Sequence, residues 1–136
     1  MDGESKFIAW VSTLLHDIGR YEQFKRYKTF LDRHSVNHIG LAIEILTKEN
    51  ILESLENELQ TLILAVIANH NNLSIPDNLH DIEQYFTKLL RYADKLDIFR
   101  IMVEHYEDAS NNHAVVWGLP NNESYSDDVS NKHLTL

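Results

Sequence analysis

The sequence predicts an all-α fold, a compact bundle of helices, on three observations. Apolar residues recur every three to four positions in each long window, which is the helical period. No segment alternates apolar and polar residues as a half-buried strand would. At 136 residues, with 43% hydrophobic and 24% charged side chains, the chain has the length and mix of one domain around one core.

Taken in order, Phe7, Val11, Leu14, Leu15 and Ile18 share a face, predicting an amphipathic helix ended by Gly19, with His16 and Asp17 in its last turn. Residues 21–35 (YEQFKRYKTFLDRHS) are aromatic and basic without a clean period. They read as a loop or short helical turns, with Ser35 as a cap for the next helix. That helix runs from about Val36 to Lys48, with Ile39, Ala42, Ile43 and Leu46 inward and His38 on the flank of that face. A third spans about Leu55 to Asn69. It turns Leu59, Leu62, Ile63, Val66 and Ile67 inward, and His70 continues the stripe. Residues 71–79 (NNLSIPDNL) mark a loop. Asp81 with Gln84 resembles a capping box opening a long helix to about Tyr106. Tyr85, Leu89, Ala93, Leu96 and Arg100 fall on one line of it, and Leu90, Asp94, Ile98 and Ile101 on the next. From about Glu107 to Leu136 the chain turns polar, and a partly ordered C-terminal segment is expected.

Composition removes several function classes. The absence of Cys excludes a disulfide scaffold, thiolate-ligated metals and a cysteine nucleophile, leaving His, Asp and Glu as ligands. Twelve Lys and Arg against 21 Asp and Glu give a net charge of −9, which repels nucleic-acid phosphates and anionic lipid, so neither partner is expected. The longest apolar run, Leu62 to Ala68, falls far short of the ~20 residues that cross a bilayer, and no signal pattern opens the chain. A cytoplasmic location follows as the expectation, and the oligomeric state is left open.

Eight histidines direct attention to imidazole chemistry. Two His-Asp dipeptides occur. His80-Asp81 opens a helix after a loop, where Asp81 serves as a cap and His80 faces solvent. His16-Asp17 instead follows directly on an apolar helix, where buried ionisable groups need a metal or a counter-charge. Imidazole with carboxylate suits Mn, Fe, Ni, Co or Zn, as one ion or two, with Mg admitted where oxygens dominate. His38, His70 and Asp94 sit on or beside apolar faces and are the candidate partners. His34 and His38 are four apart, but Ser35 stands where a zincin motif needs Glu. Asp97 and Arg100 read as a local ion pair, and His105, His113 and His133 as solvated. Tyr21, Phe24, Tyr27 and Phe30 form an aromatic patch that packs, or that walls a pocket after the dyad.

The segments LLHDIGR, HIGLAIEIL, IANHN and YADKLD, in this order over roughly residues 7–105, resemble the HD-domain superfamily of metal-dependent phosphohydrolases. The resemblance implies that His16, Asp17 and Asp94 bind metal. It also implies that His38 and His70 match the extra histidines of binuclear members, with Asp17 bridging and central to catalysis. That family's first metal-binding His lies on a helix upstream of the dyad, whereas residues 1–15 hold no His. The expectation is therefore a single HD-like domain that lacks this upstream helix. The implied activity is hydrolysis, by metal-activated water, of a phosphoester in a nucleotide or other small phosphorylated metabolite. Arg20 and Lys95, beside the dyad and the late Asp, are candidates to hold phosphate oxygens, or else a helix-end partner and a surface ion pair. A non-catalytic HD-type metal- or ligand-binding signalling module and a di-iron oxygenase stand as alternatives. No Gly-Tyr-Pro signature of the cyclic-diguanylate phosphodiesterase branch is present.

Overall fold

A computed structural model describes residues 1–107 and the side chains of residues 1–104; the polar segment beyond lies outside the described residues. Five α-helices and one 3-10 turn make up the fold: α1 (Gly3–Leu15), α2 (Ile18–Tyr27), the turn Asp32–His34, α3 (His38–Lys48), α4 (Asn57–Asn69) and α5 (Asp81–Glu107). No strand occurs among the described residues, as the period of the sequence predicts.

Helix α1 starts where Asp2 Oδ1 accepts from the Ser5 N–H at 2.8 Å, satisfying one of the free donors of the first turn. Its inward face is rotated from the expected one. Ile8 and Ser12 are buried, with Val11 and Leu15 beside them, whereas Phe7 is 42% and Leu14 80% exposed. The helix carries two apolar arcs, and polar Ser12 in the buried one disguises which of them faces the core.

Gly19 does not end this helix. α1 closes at His16, whose N–H reaches the Ser12 carbonyl, and after Asp17 the chain enters α2 at once. Gly19 lies inside α2, where an added Cβ would fall 2.0 Å from the His38 carbonyl oxygen and 2.7 Å from Ala42 N. Its role is the close approach of α2 to α3, which only a residue without a side chain allows.

The segment 21–35, expected as a loop or short helical turns, is regular helix over 21–27 and a short 3-10 turn at Asp32–His34. Helix α2 runs to Tyr27 and stops at Lys28 in the left-handed region (φ 57). Its only buried residues are Gly19 and Gln23, so no apolar stripe betrays it. Asn37, not Ser35, caps α3, its Oδ1 accepting from Ile39 N at 2.9 Å. The Ser35 hydroxyl instead links Gln23 Nε2 to the Leu31 carbonyl.

The core gathers Ile8, Ala42, Leu46, Leu52, Ile63, Val66, Ile67, Phe86 and Leu90 into one cluster from α1, α3, α4, α5 and the α3–α4 connection. Helix α5 presents Phe86, Thr87 and Leu90 inward, with Asp94 one turn further. Of the two lines read along it, the Leu90–Asp94 line faces in, while Tyr85 and Leu96 on the other are 50% and 70% exposed. The box at its start is shifted by one: Glu83 Oε2 accepts from the His80 N–H at 2.8 Å. No helix among the described residues is long and apolar enough to cross a membrane.

Candidate metal centre

Three helix ends and the middle of α5 meet at one place. His16 is the C-cap of α1, His70 the C-cap of α4, and His38 the first residue of α3. Asp17 follows His16 in the two-residue gap between α1 and α2, and Asp94 faces them from α5. His38 and His70 are almost wholly buried, and the side chains of His16 and Asp94 are 16% and 14% exposed. Asp17, at 45%, is the member open to solvent.

The three imidazoles are locked in the same sense. His16 Nδ1 lies 2.7 Å from the Thr13 carbonyl, His70 Nδ1 2.7 Å from the Ile67 carbonyl, and His38 Nδ1 2.7 Å from Asp32 Oδ2. A carbonyl or an ionised carboxylate can only accept, so each Nδ1 carries a proton and in the neutral ring Nε2 is the nitrogen left with a lone pair. His16 and His70 reach this state identically, each folding back onto the carbonyl three residues before it at the end of an apolar helix.

The freed nitrogens of His16 and His38 converge on Asp17. His16 Nε2 is 3.6 Å from Asp17 Oδ2 and 3.6 Å from Asp94 Oδ1, while His38 Nε2 is 3.5 Å from Asp17 Oδ1. The His70 ring stands edge-on to both other rings, with centroids 5.1 Å from His16 and 6.2 Å from His38. Donor atoms of His16, Asp17 and His70 all lie within 4.8 Å of one another. Two donors each ~2.1 Å from a tetrahedral ion stand ~3.4 Å apart, close to these separations. Asp17 turns one oxygen to His16 and the other to His38, the placement required of a carboxylate shared between two sites. Three neutral imidazoles and two carboxylates fit a divalent transition metal.

Electrostatics favour a cation here. The C-terminal ends of α1 and α4 both point at the cluster with their negative dipole ends; α3 opposes with its N-terminus, where Asp32 stands as a counter-charge. Burial pushes the His70 imidazole below its ordinary value, and burial with the Arg20 charge does the same to His38. Burial also opposes protonation of His16, but Asp94, Asp17 and the Thr13 carbonyl together outweigh it and raise that imidazole. Burial would raise Asp94 as well, yet His16 and Lys95 hold its carboxyl at about 2. The HD-domain family pattern matches residues 2–111. The chain belongs to the HD domain family.

No curated protein and no solved structure gives a significant match. All five residues singled out in this HD domain as ligand candidates, His16, Asp17, His38, His70 and Asp94, are brought together. Arg20 and Lys95 lie one layer out. Lys95 Nζ is 3.2 Å from Asp94 Oδ2. Arg20 Nη1 contacts the Phe30 carbonyl at 2.6 Å, Asp32 Oδ1 at 3.0 Å and Gln23 Oε1 at 3.2 Å, and its Nε is 3.5 Å from Asp17. His80 is exposed at the start of α5, at the far end of that helix from Asp94, and His34 is exposed too. Asp97 pairs with Arg100 as expected, which also reaches Glu104. In the aromatic patch, Phe24 and Phe30 stack on each other at 4.7 Å. Sequence reasoning misses Asp32 and Gln23. Asp32 stands at no helical spacing from the motif residues, and Gln23, four residues after Gly19, is a polar side chain whose partners only the fold reveals.

Proposed function

We propose that this HD domain is a metal-dependent phosphohydrolase acting on a phosphoester of a nucleotide or another small phosphorylated metabolite. The observation that carries the reading is the set of three histidines with occupied Nδ1 atoms, of which His16 and His38 each bring Nε2 to a different oxygen of Asp17 while His70 offers a donor atom within 4.8 Å of His16 and Asp17. His16, Asp17, His38, His70 and Asp94 would hold one or two ions of Mn, Fe, Co, Ni or Zn. Such an ion supplies Lewis acidity and lowers the pKa of water toward neutrality.

The chain's own residues do the rest. Asp17 is both the shared ligand and the most open one, so substrate approaches over it. Lys95, 41% exposed and touching Asp94 through one N–H direction, has donors left for a phosphate oxygen. Arg20 is held by three acceptors through Nη1, so it lends positive potential near Asp17 and fixes the 30–32 segment. An open depression of about 1100 Å³ at the N-terminal ends of α1, α4 and α5 is lined by Glu4, Glu56, Glu58 and Glu83 and would repel phosphate. Substrate therefore belongs at the histidine end.

The test is release of phosphate from a panel of nucleotides and sugar phosphates by protein loaded separately with Mn, Co, Ni, Fe or Zn. Metal-dependent turnover abolished by Asp17→Ala supports the reading. Metal retention without turnover on any ester supports a binding module, and oxygen consumption by the iron form supports an oxygenase.

A further inference from the structure

We infer that Asp32 is a positioning residue for His38, holding the imidazole in the one tautomer and orientation that leaves Nε2 facing Asp17; this rests on the metal-centre reading above.

Asp32 belongs to the 3-10 turn, six residues before His38, and takes no part in the cluster of candidate ligands. Its two oxygens are divided. Oδ2 receives His38 Nδ1 at 2.7 Å, and Oδ1 receives Gln23 Nε2 at 2.8 Å and Arg20 Nη1 at 3.0 Å. Gln23 is fully buried and also donates to Ser35 Oγ and the Val36 carbonyl, both at 2.9 Å, so it ties α2 to the segment entering α3. The carboxylate thus cannot rotate without breaking contacts to two helical anchors.

His38 needs such a partner for a reason that its two counterparts do not share. His16 and His70 are C-caps and find an acceptor in their own helix, three residues back. His38 opens its helix, where backbone N–H groups rather than carbonyls are free, so no local acceptor can take its Nδ1 proton. The acceptor must come from elsewhere in the chain, and Asp32 supplies it. Partners of this kind fix ring orientation and raise ligand basicity, and their removal typically costs about 10–100-fold in metal affinity.

Asp32→Asn tests this. Its amide can keep accepting from Gln23 and Arg20 while presenting N–H to His38, which moves the ring proton to Nε2 and blocks the ligand atom. Two readouts apply: the His38 tautomer from long-range proton–nitrogen spectra of the metal-free protein, and Zn²⁺ affinity by competition with a chromophoric chelator. The expected result is an Nε2–H tautomer and about 10–100-fold weaker Zn²⁺ binding, with thermal unfolding little changed and affinity partly restored in Asp32→Glu. An unchanged Nδ1–H tautomer overturns the inference, whether or not affinity falls, because a fall alone would be a charge effect. If the unaltered protein binds no Zn²⁺, the metal-centre reading fails, while the tautomer still decides the role of Asp32. Should Asp32→Asn not fold, Asp32→Ser is read by the same two measurements.

Discussion

Asp17 is the residue on which the centre turns, since its two oxygens face two different histidines. Asp17→Ala is expected to abolish metal retention, measured by elemental analysis after gel filtration. His80→Ala, which alters the other His-Asp pair, should retain full metal because that side chain stands in solvent. The histidines also differ in how they titrate. His16 is raised above the ordinary value near 6.5, so in the metal-free protein it should titrate above that value, and His38 and His70 below it. A metal ligand must lose its proton, so Zn²⁺ affinity should begin to fall as pH drops through the His16 transition, before the other two imidazoles respond. For Asp94, depressed to about 2, the stabilisation of the metal-free fold is present above pH 3.8 and lost as pH falls toward 2. Proton NMR titration and acid unfolding check the two signs. At this scale the five residues that meet here were legible through the motifs that carry them, four at helix ends and Asp94 in the middle of α5. Asp32 was not, because a hydrogen bond between two separately placed segments leaves no periodic trace.

Among the elements, α2 and its contact with α3 determine where His38 stands. Gly19→Ala would drive a methyl group into the His38 carbonyl, 2.0 Å away, and the backbones would have to part. Overpacking of this kind costs about 1–3 kcal/mol and sometimes more. A lower midpoint of denaturant unfolding and weaker Zn²⁺ binding are expected together, since the shifted carbonyl belongs to a candidate ligand. Unchanged stability would show that α2 does not pack on α3 this closely. The same helix shows why pattern reading falls short. Its inward positions are Gly19 and Gln23, so the helix has nothing apolar to repeat, and the glycine that reads as a stop signal is a contact point. In α1 the difficulty is reversed: two apolar arcs compete, and Ser12 in the buried one tips the reading toward Phe7 and Leu14, which are exposed. Helices α3, α4 and α5 were legible because their long stripes end in the core.

The whole molecule has a polarity that suits its proposed work. The starting ends of α1, α4 and α5 surround an acidic depression, and the C-caps of α1 and α4 lie with Asp94 at the candidate centre. Although the chain carries a net charge of −9, the segment 18–35 that follows the dyad holds five of its twelve cations, Arg20, Lys25, Arg26, Lys28 and Arg33, against two acids, Glu22 and Asp32, and so is locally positive. Because the residues that would hold an ion come from α1, α3, α4 and α5 and the α1–α2 junction, metal binding should stabilise the fold as a unit. Free metal at 100 times its Kd adds about 2.7 kcal/mol, a rise of about 5–10 °C in Tm, reversed by chelator and absent in Asp17→Ala.

Metal content per chain, by elemental analysis of protein purified without chelator and then exposed to Mn²⁺ or Zn²⁺, tests the central claim most directly. One or two ions per chain, absent in Asp17→Ala and unchanged in His80→Ala, is the predicted result. Protein that stays metal-free after exposure, or an Asp17→Ala variant that binds as much as the unaltered chain, would contradict it.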